Sequence, residues 1–195
     1  MNSRRVVLAG ALLWPLHAAH AQQTAGTGGA IQAAAGVGIQ EGKEESGLGL
    51  VATLGYQKSL GATARWRLNP QLVYGEFSKQ AFDDSRDQFF RTTSAGVAVH
   101  CDVVRYRAVA LVVTGGAFVT YARGLLGTGG KLQPGTTGSR YFRELYVSGA
   151  GGFGLRISPA TSRLAYEVRP LTLHVGPKFF ALAYATLGLE VKLNK

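Results

Sequence analysis

The chain has 195 residues, 27 of them glycine, and a formal net charge of +10. The single cysteine, Cys101, excludes an internal disulfide, and no stretch after Gln22 approaches the roughly 20 apolar residues of a transmembrane helix. A basic balance is common among nucleic-acid-binding proteins, but the export signal described next leads us to expect no nucleic-acid partner.

The N-terminus has the pattern of a secretory signal peptide. Arg4 and Arg5 precede a short apolar run, which ends in an A-x-A cleavage site at Ala21. Cleavage there leaves 195 − 21 = 174 residues with a net charge of +10 − 2 = +8. The predicted organisation is a signal peptide over 1–21, a flexible segment over 22–29 and one domain over 30–195.

From residue 30 onward, apolar and polar residues alternate with the period of two that is typical of strands with one apolar face. The eight predicted strands cover residues 31–40, 48–57, 64–74, 94–103, 109–121, 144–157, 164–169 and 185–194. Pro70 lies inside the third strand and indicates an edge or a bulge there. Strands of about ten residues, tilted by about 45°, are long enough to cross a bilayer.

The connections between these strands alternate in length. The second and third odd-numbered connections, "EFSKQAFDDSRDQ" and "RGLLGTGGKLQPGTTGSR", are longer than the even-numbered "KSLGA" and "SPATSR". Outer-membrane barrels combine long outside loops with short periplasmic turns and an even number of strands. The sequence therefore predicts an all-β fold, an eight-stranded antiparallel up-and-down transmembrane β-barrel.

We expect the apolar face of each strand to meet lipid and the polar face, which is rich in small residues, to fill the narrow lumen. Charges in such an interior must be paired, because an isolated buried ion costs several kcal/mol. The predicted lumen charge network consists of Arg65, Arg67, Arg156, Glu167, Arg169, Glu190 and Lys192. The predicted aromatic girdle, at the strand ends, consists of Tyr56, Trp66, Tyr74, Tyr121 and Tyr166.

The signal peptide, the eight strands and the segments "LNPQLVYGEFS" (68–78) and "YVSGAGGFGLRI" (146–157) resemble the small outer-membrane β-barrel proteins of Gram-negative bacteria, the OmpA/OmpX-like and PorT-type group. The resemblance implies an outer-membrane location. It also implies contact with outer-membrane lipids, lipopolysaccharide and the barrel-assembly machinery. Members of this group include adhesins and structural barrels.

The remaining motifs predict no catalytic, cofactor-binding or metal-binding residue. "GAGGFG" (149–154) fits a dinucleotide fingerprint but lies inside a strand, so we interpret it as close packing. His100 and Cys101 are adjacent on a strand and point to opposite faces, which prevents a nucleophile–base pair. The three carboxylates of "DDSRD" (83–87) are interpreted as a solvated loop.

The sequence thus predicts a non-enzymatic barrel with a structural or surface-interaction role, through the loops at Glu76–Arg91 and Arg123–Tyr141. Two alternatives stay open at this point. One is an enzyme that modifies lipid A, of the deacylase or acyltransferase type, with His100 or His174 as its base. The other is a soluble periplasmic barrel that binds a ligand inside.

Overall fold

The computed structural model describes residues 28–61, 63–79, 89–127 and 139–193. In this part of the chain, eight antiparallel strands follow one another around a closed barrel, in which the first strand also pairs with the last. They are β1 (Gly29–Glu41), β2 (Ser46–Leu60), β3 (Trp66–Ser78), β4 (Phe89–Tyr106), β5 (Val109–Gly127), β6 (Ser139–Ile157), β7 (Leu164–Val175) and β8 (Ala181–Lys192). The predicted up-and-down barrel of eight antiparallel strands is confirmed. The predicted signal peptide, most of the flexible segment and the "DDSRD" motif lie outside the described residues.

The connections divide the barrel into two ends. What we call the loop end carries the connections 42–45, 79–88, 128–138 and 176–180, and the turn end carries 61–65, 107–108 and 158–163. Strands β4, β5 and β6 have 18, 19 and 19 residues, whereas β7 and β8 have 12 each. A tilted strand crosses a bilayer in about 9–11 residues, so β4, β5 and β6 are longer than such a crossing requires.

Alternation along each strand separates an apolar outer face from a polar and aromatic inner face. On the outer face, the side chains of Leu50 and Leu187 are 70% and 68% exposed. Their neighbours Val51 and Thr186 point into the barrel and are buried. The polarity is therefore the reverse of that of a soluble barrel in water, where large apolar side chains turn inward.

The prediction of an edge or bulge at Pro70 is wrong. β3 is paired on both sides, and its register with β4 runs unbroken through the Pro70–Val97 pair. The ladder between β2 and β3 lacks pairs only between Gly55–Gln71 and Lys58–Leu68. Pro70 has no N–H to donate, so the sheet loses bonds locally on that side while the register is kept.

Register irregularities occur instead in β4, between Asp102 and Val104, and in β7, between Arg169 and Thr172. An extra residue in a strand reverses the parity of everything that follows it. The seventh strand was predicted to end at Arg169, yet β7 continues to Val175. Two consecutive residues, Pro170 and Leu171, face outward there and break the period-2 pattern.

Candidate functional site

Three buried arginines and three buried carboxylates lie among the described residues in the half of the lumen near the turn end. We call them the lumen network; its members are Arg67, Asp102, Arg156, Glu167, Arg169 and Glu190. Their formal charges cancel. Balance of this kind is what a narrow interior requires, because each unpaired buried ion would cost several kcal/mol.

Each arginine of the lumen network has its own carboxylate. Arg156 binds Glu190 through two parallel bonds, Nε to Oε2 at 2.8 Å and Nη2 to Oε1 at 2.6 Å. Arg67 Nη2 donates to Asp102 Oδ1 at 2.6 Å. Two-point arginine–carboxylate pairs combine strength with a fixed orientation, so the Arg156–Glu190 pair ties β6 to β8 across the lumen.

The third pair is embedded in a cluster of neutral hydrogen-bonding groups. Arg169 Nε donates to Glu167 Oε1 at 2.8 Å, and Gln32 Nε2 donates to the other carboxylate oxygen at 2.7 Å. Gln32 Oε1 in turn accepts from Asn69 Nδ2 at 2.9 Å. Arg169 Nη2 also lies 3.1 Å from His100 Nδ1. These contacts join strands from opposite sides of the barrel.

The structure brings together five of the seven residues predicted for the lumen charge network. Arg65 instead lies exposed in the turn before β3. Lys192 is half-buried at the turn end, where its Nζ lies 3.4 Å from the carbonyl oxygen of Ser162. The seven predicted residues comprise five bases and two acids. Because Arg65 and Lys192 lie outside the buried cluster and Asp102 belongs to it, the lumen network has three bases and three acids.

Asp102 and its second partner Arg105 were missed for different reasons. Asp102 shares the inward parity of His100, and that parity could have identified it. Arg105 Nη2 donates to Asp102 Oδ2, but the bulge after Asp102 is what turns Arg105 inward. In the sequence this bulge shows only as two consecutive apolar residues, Val103 and Val104, a break in alternation that also occurs where a strand ends.

Aromatic side chains fill the half of the lumen near the loop end, and we call them the aromatic plug. Its members are Phe77, Phe90, Phe118, Phe142, Tyr146, Phe180 and Tyr184. The rings of Phe77 and Phe90 stack with centroids 5.3 Å apart, and those of Tyr146 and Phe180 with centroids 4.5 Å apart. The prediction of a lumen filled by small and ionic groups is therefore wrong for this half.

Glu45 closes the aromatic plug at the loop end. It lies in the 42–45 connection, is buried, and accepts a hydrogen bond from the Tyr146 hydroxyl at 2.6 Å. Burial raises the pKa of the Glu45 carboxyl above its ordinary value of 4.5, and the Tyr146 hydrogen bond opposes this only in part. The folded state therefore holds the protonated form more tightly than the unfolded chain does.

Stability is expected to depend on pH through Glu45. Because the pKa of Glu45 is raised on folding, its stabilising contribution to the free energy of unfolding is fully present below about pH 4.5. This contribution is lost as the pH rises through the folded-state pKa. In urea unfolding, the free energy of unfolding of Glu45→Gln relative to that of the wild type should increase as the pH rises. Glu41→Gln, at the exposed end of β1 just before this connection, is the matched control. An advantage of Glu45→Gln that is the same at every pH would contradict the assignment.

The predicted girdle residues all face outward and are exposed. By strand position, Tyr56, Trp66 and Tyr166 lie toward the turn end, and Tyr74 and Tyr121 toward the loop end. Tyr106 at the turn end and Phe89 and Tyr141 at the loop end are further exposed aromatic residues of the outer face.

The motifs set aside in the sequence have structural explanations. A Cβ at Gly154 would lie 2.7 Å from the Val168 carbonyl oxygen and 2.9 Å from Arg169 Cγ, so this glycine leaves room for Arg169.

His100 and His174 are both fully buried in the lumen. No group of three or more His, Cys, Asp or Glu side chains suited to a metal ion occurs among the described residues. The same part of the chain has no helix long and apolar enough to cross a bilayer.

Two solved structures are similar to this chain over most of its length. Neisserial surface protein A (NspA) matches with a TM-score of 0.64 and 12% identity, over 85% of this chain and 97% of that chain. Ail, the attachment invasion locus protein of Yersinia pestis, matches with a TM-score of 0.53 and 14% identity, over 86% and 99%. No protein-family model and no curated protein sequence matches the chain. Its fold is that of the small eight-stranded outer-membrane barrels, which confirms the predicted resemblance at the level of fold.

Proposed function

We propose that this chain, which shares the fold of small outer-membrane barrels, is an integral protein of the outer membrane of a Gram-negative bacterium with a structural or surface-interaction role. The observation that supports this proposal most strongly is the apolar outer face of the barrel. Residues 1–21 act as the export signal in this proposal. The barrel-assembly machinery and the membrane lipids are its partners, and the regions Glu76–Arg91 and Arg123–Tyr141 meet a partner at the cell surface.

The height of the apolar face matches a bilayer. On β5, every outward residue from Val109 to Tyr121 is apolar or glycine, and the next outward residue is Arg123. These 12 steps measure about 40 Å along the strand at about 3.3 Å per residue. A tilt of about 45° reduces this to about 28 Å along the barrel axis, close to the roughly 25 Å apolar band of outer-membrane barrels.

The interior supports a closed barrel rather than a channel or an enzyme. The lumen network and the aromatic plug fill its two halves, and an eight-stranded barrel is just wide enough for side chains to do so. Both imidazoles face this interior, whereas the acyl chains of lipid A would lie against the outer face. A soluble barrel that binds a ligand inside would need the reverse polarity.

Fractionation of cells that express the full chain tests the location. We expect the protein in the outer-membrane fraction, retained there when the periplasm is released without detergent. We also expect a band that shifts on gels only after boiling, which is typical of a closed barrel. Release with the periplasmic contents would overturn the proposal in favour of the soluble alternative.

Mass analysis of lipid A from the same cells tests the enzyme alternative. The proposal predicts the same acylation with and without expression. A change in acylation that disappears in both His100→Gln and His174→Gln variants, or in either one, would favour a lipid A-modifying enzyme instead. The gel shift of each variant serves as the control for folding.

A further inference from the structure

Three arginines form a row across the outer face at the loop end. Arg91 on β4 is the cross-strand partner of Arg123 on β5, which is in turn the partner of Arg143 on β6. All three side chains are exposed and point outward. Directly opposed residues on antiparallel strands have Cβ atoms about 5 Å apart, so three guanidinium groups share one narrow strip.

The arginine row lies at the upper edge of the apolar face. The next outward-facing residues toward mid-barrel, two positions along each strand, are Thr93, Tyr121 and Leu145, which are again in register with one another. On each of the three strands, the arginine is the first outward-facing charge met along the apolar stretch from mid-barrel toward the loop end. By the β5 measurement above, the row is at the level where lipid headgroups begin.

The row carries more positive charge than its described neighbours neutralise. Glu76 on β3 pairs with Arg91 at 3.2 Å, and both side chains are about half exposed. Arg143 lies over the Tyr141 ring at 5.1 Å. Arg123, between the other two, has no acidic partner in the part of the chain that the structure describes. Like charges directly opposite on a sheet are destabilising. A bound anionic ligand would reduce the repulsion between the three guanidinium groups.

We propose that Arg91, Arg123 and Arg143 bind the phosphate groups of lipid A in the outer leaflet. The inference rests on the proposed membrane location and adds a ligand to it. A planar guanidinium matches a phosphate through two parallel N–H···O bonds, and a row of three can contact a headgroup with two phosphates. The exposed rings of Phe89 and Tyr141, at the next outward positions beyond the row, lie against the guanidinium groups of Arg91 at 5.4 Å and Arg143 at 5.1 Å and position them at the outer face.

Binding of lipid A by the purified, folded barrel tests the proposal. The probe is bis-phosphoryl lipid A in mixed detergent micelles, and bound lipid is counted by native mass spectrometry. Dephosphorylated lipid A and the heparin analogue sucrose octasulfate are separate arms. The variant Arg91→Gln/Arg123→Gln/Arg143→Gln is compared with Arg65→Gln/Arg107→Gln/Arg163→Gln, which removes the same charge at exposed positions of the turn end.

We expect the loop-end variant to bind bis-phosphoryl lipid A at least about tenfold more weakly than the wild type. The turn-end variant should bind like the wild type, and dephosphorylated lipid A should bind weakly to all three. Equal binding by the two variants would overturn the proposal, as would loss of sucrose octasulfate binding alone. The gel shift shows that each variant is folded.

These experiments distinguish a failure of the arginine site from a failure of the proposed outer-membrane location. A barrel released with the periplasm would refute the location even if the purified protein binds lipid A. A barrel retained in the outer membrane, with lipid A binding unaffected by the loop-end substitutions, would refute the arginine site alone.

Discussion

Replacing Glu190 by glutamine is expected to lower the free energy of unfolding by about 3 kcal/mol, because breaking one side of a buried ion pair leaves the other charge uncompensated. Glu190 accepts both bonds of Arg156 and lies 3.8 Å from Arg67 Nη1. Its side chain is 4% exposed, so water cannot replace the lost charge. Urea titration of the barrel folded into phosphatidylcholine vesicles measures the change.

Glu76→Gln is the matched control for this prediction. Glu76 also pairs with an arginine, at 3.2 Å, but its side chain is 40% exposed. Exposed ion pairs contribute about 0–1 kcal/mol, so this variant should unfold nearly like the wild type. The combined variant Arg156→Met/Glu190→Leu removes both charges and should recover most of the loss. If Glu190→Gln costs no more than Glu76→Gln, the lumen network does not hold the barrel together.

Leu187→Arg is expected to cost about 2–4 kcal/mol in a bilayer, the range for arginine on the lipid face near the midplane. Leu187 lies near the middle of β8, faces outward and is 68% exposed. In water such a side chain could become an arginine at little cost. The same urea titration in vesicles measures the loss of stability.

Leu125→Arg provides the comparison at another depth. Leu125 also faces outward and is 47% exposed, but it lies one step beyond the arginine row. The cost there should fall to about 0–1 kcal/mol. Equal costs at Leu125 and Leu187 would mean that the outer face has no depth profile and would contradict a bilayer around the barrel.

The alternation in the sequence was sufficient to predict the fold and the direction of most side chains. From Ala185 onward, Leu187 and Leu189 face outward while Thr186 and Glu190 face inward, as predicted. Period two distinguishes the two faces of a strand because side-chain direction depends only on parity. It carries this information even at 12–15% identity to the similar structures.

The contents of the lumen were harder to predict, because parity gives direction but neither height nor neighbours. Parity places Tyr146 on the inner face, yet its stacking on Phe180 depends on the fold of the 176–180 connection. The bulges after Asp102 and Arg169 reverse the parity, and the break in alternation at each bulge does not distinguish a bulge from the end of a strand. Arg65 was placed inside because the third strand was started two residues too early.

A bilayer around the barrel requires that the apolar outer face lies in hydrocarbon and ends at the arginine row. Spin labels at positions 113, 117 and 125 of β5, in a Cys101→Ser background in vesicles, test it in one series. We expect labels replacing Val113 and Ala117 to be accessible to dissolved oxygen and shielded from a water-soluble nickel complex. The label replacing Leu125 should be reached by the nickel complex. Labels that are equally accessible to the nickel complex at all three positions would contradict it.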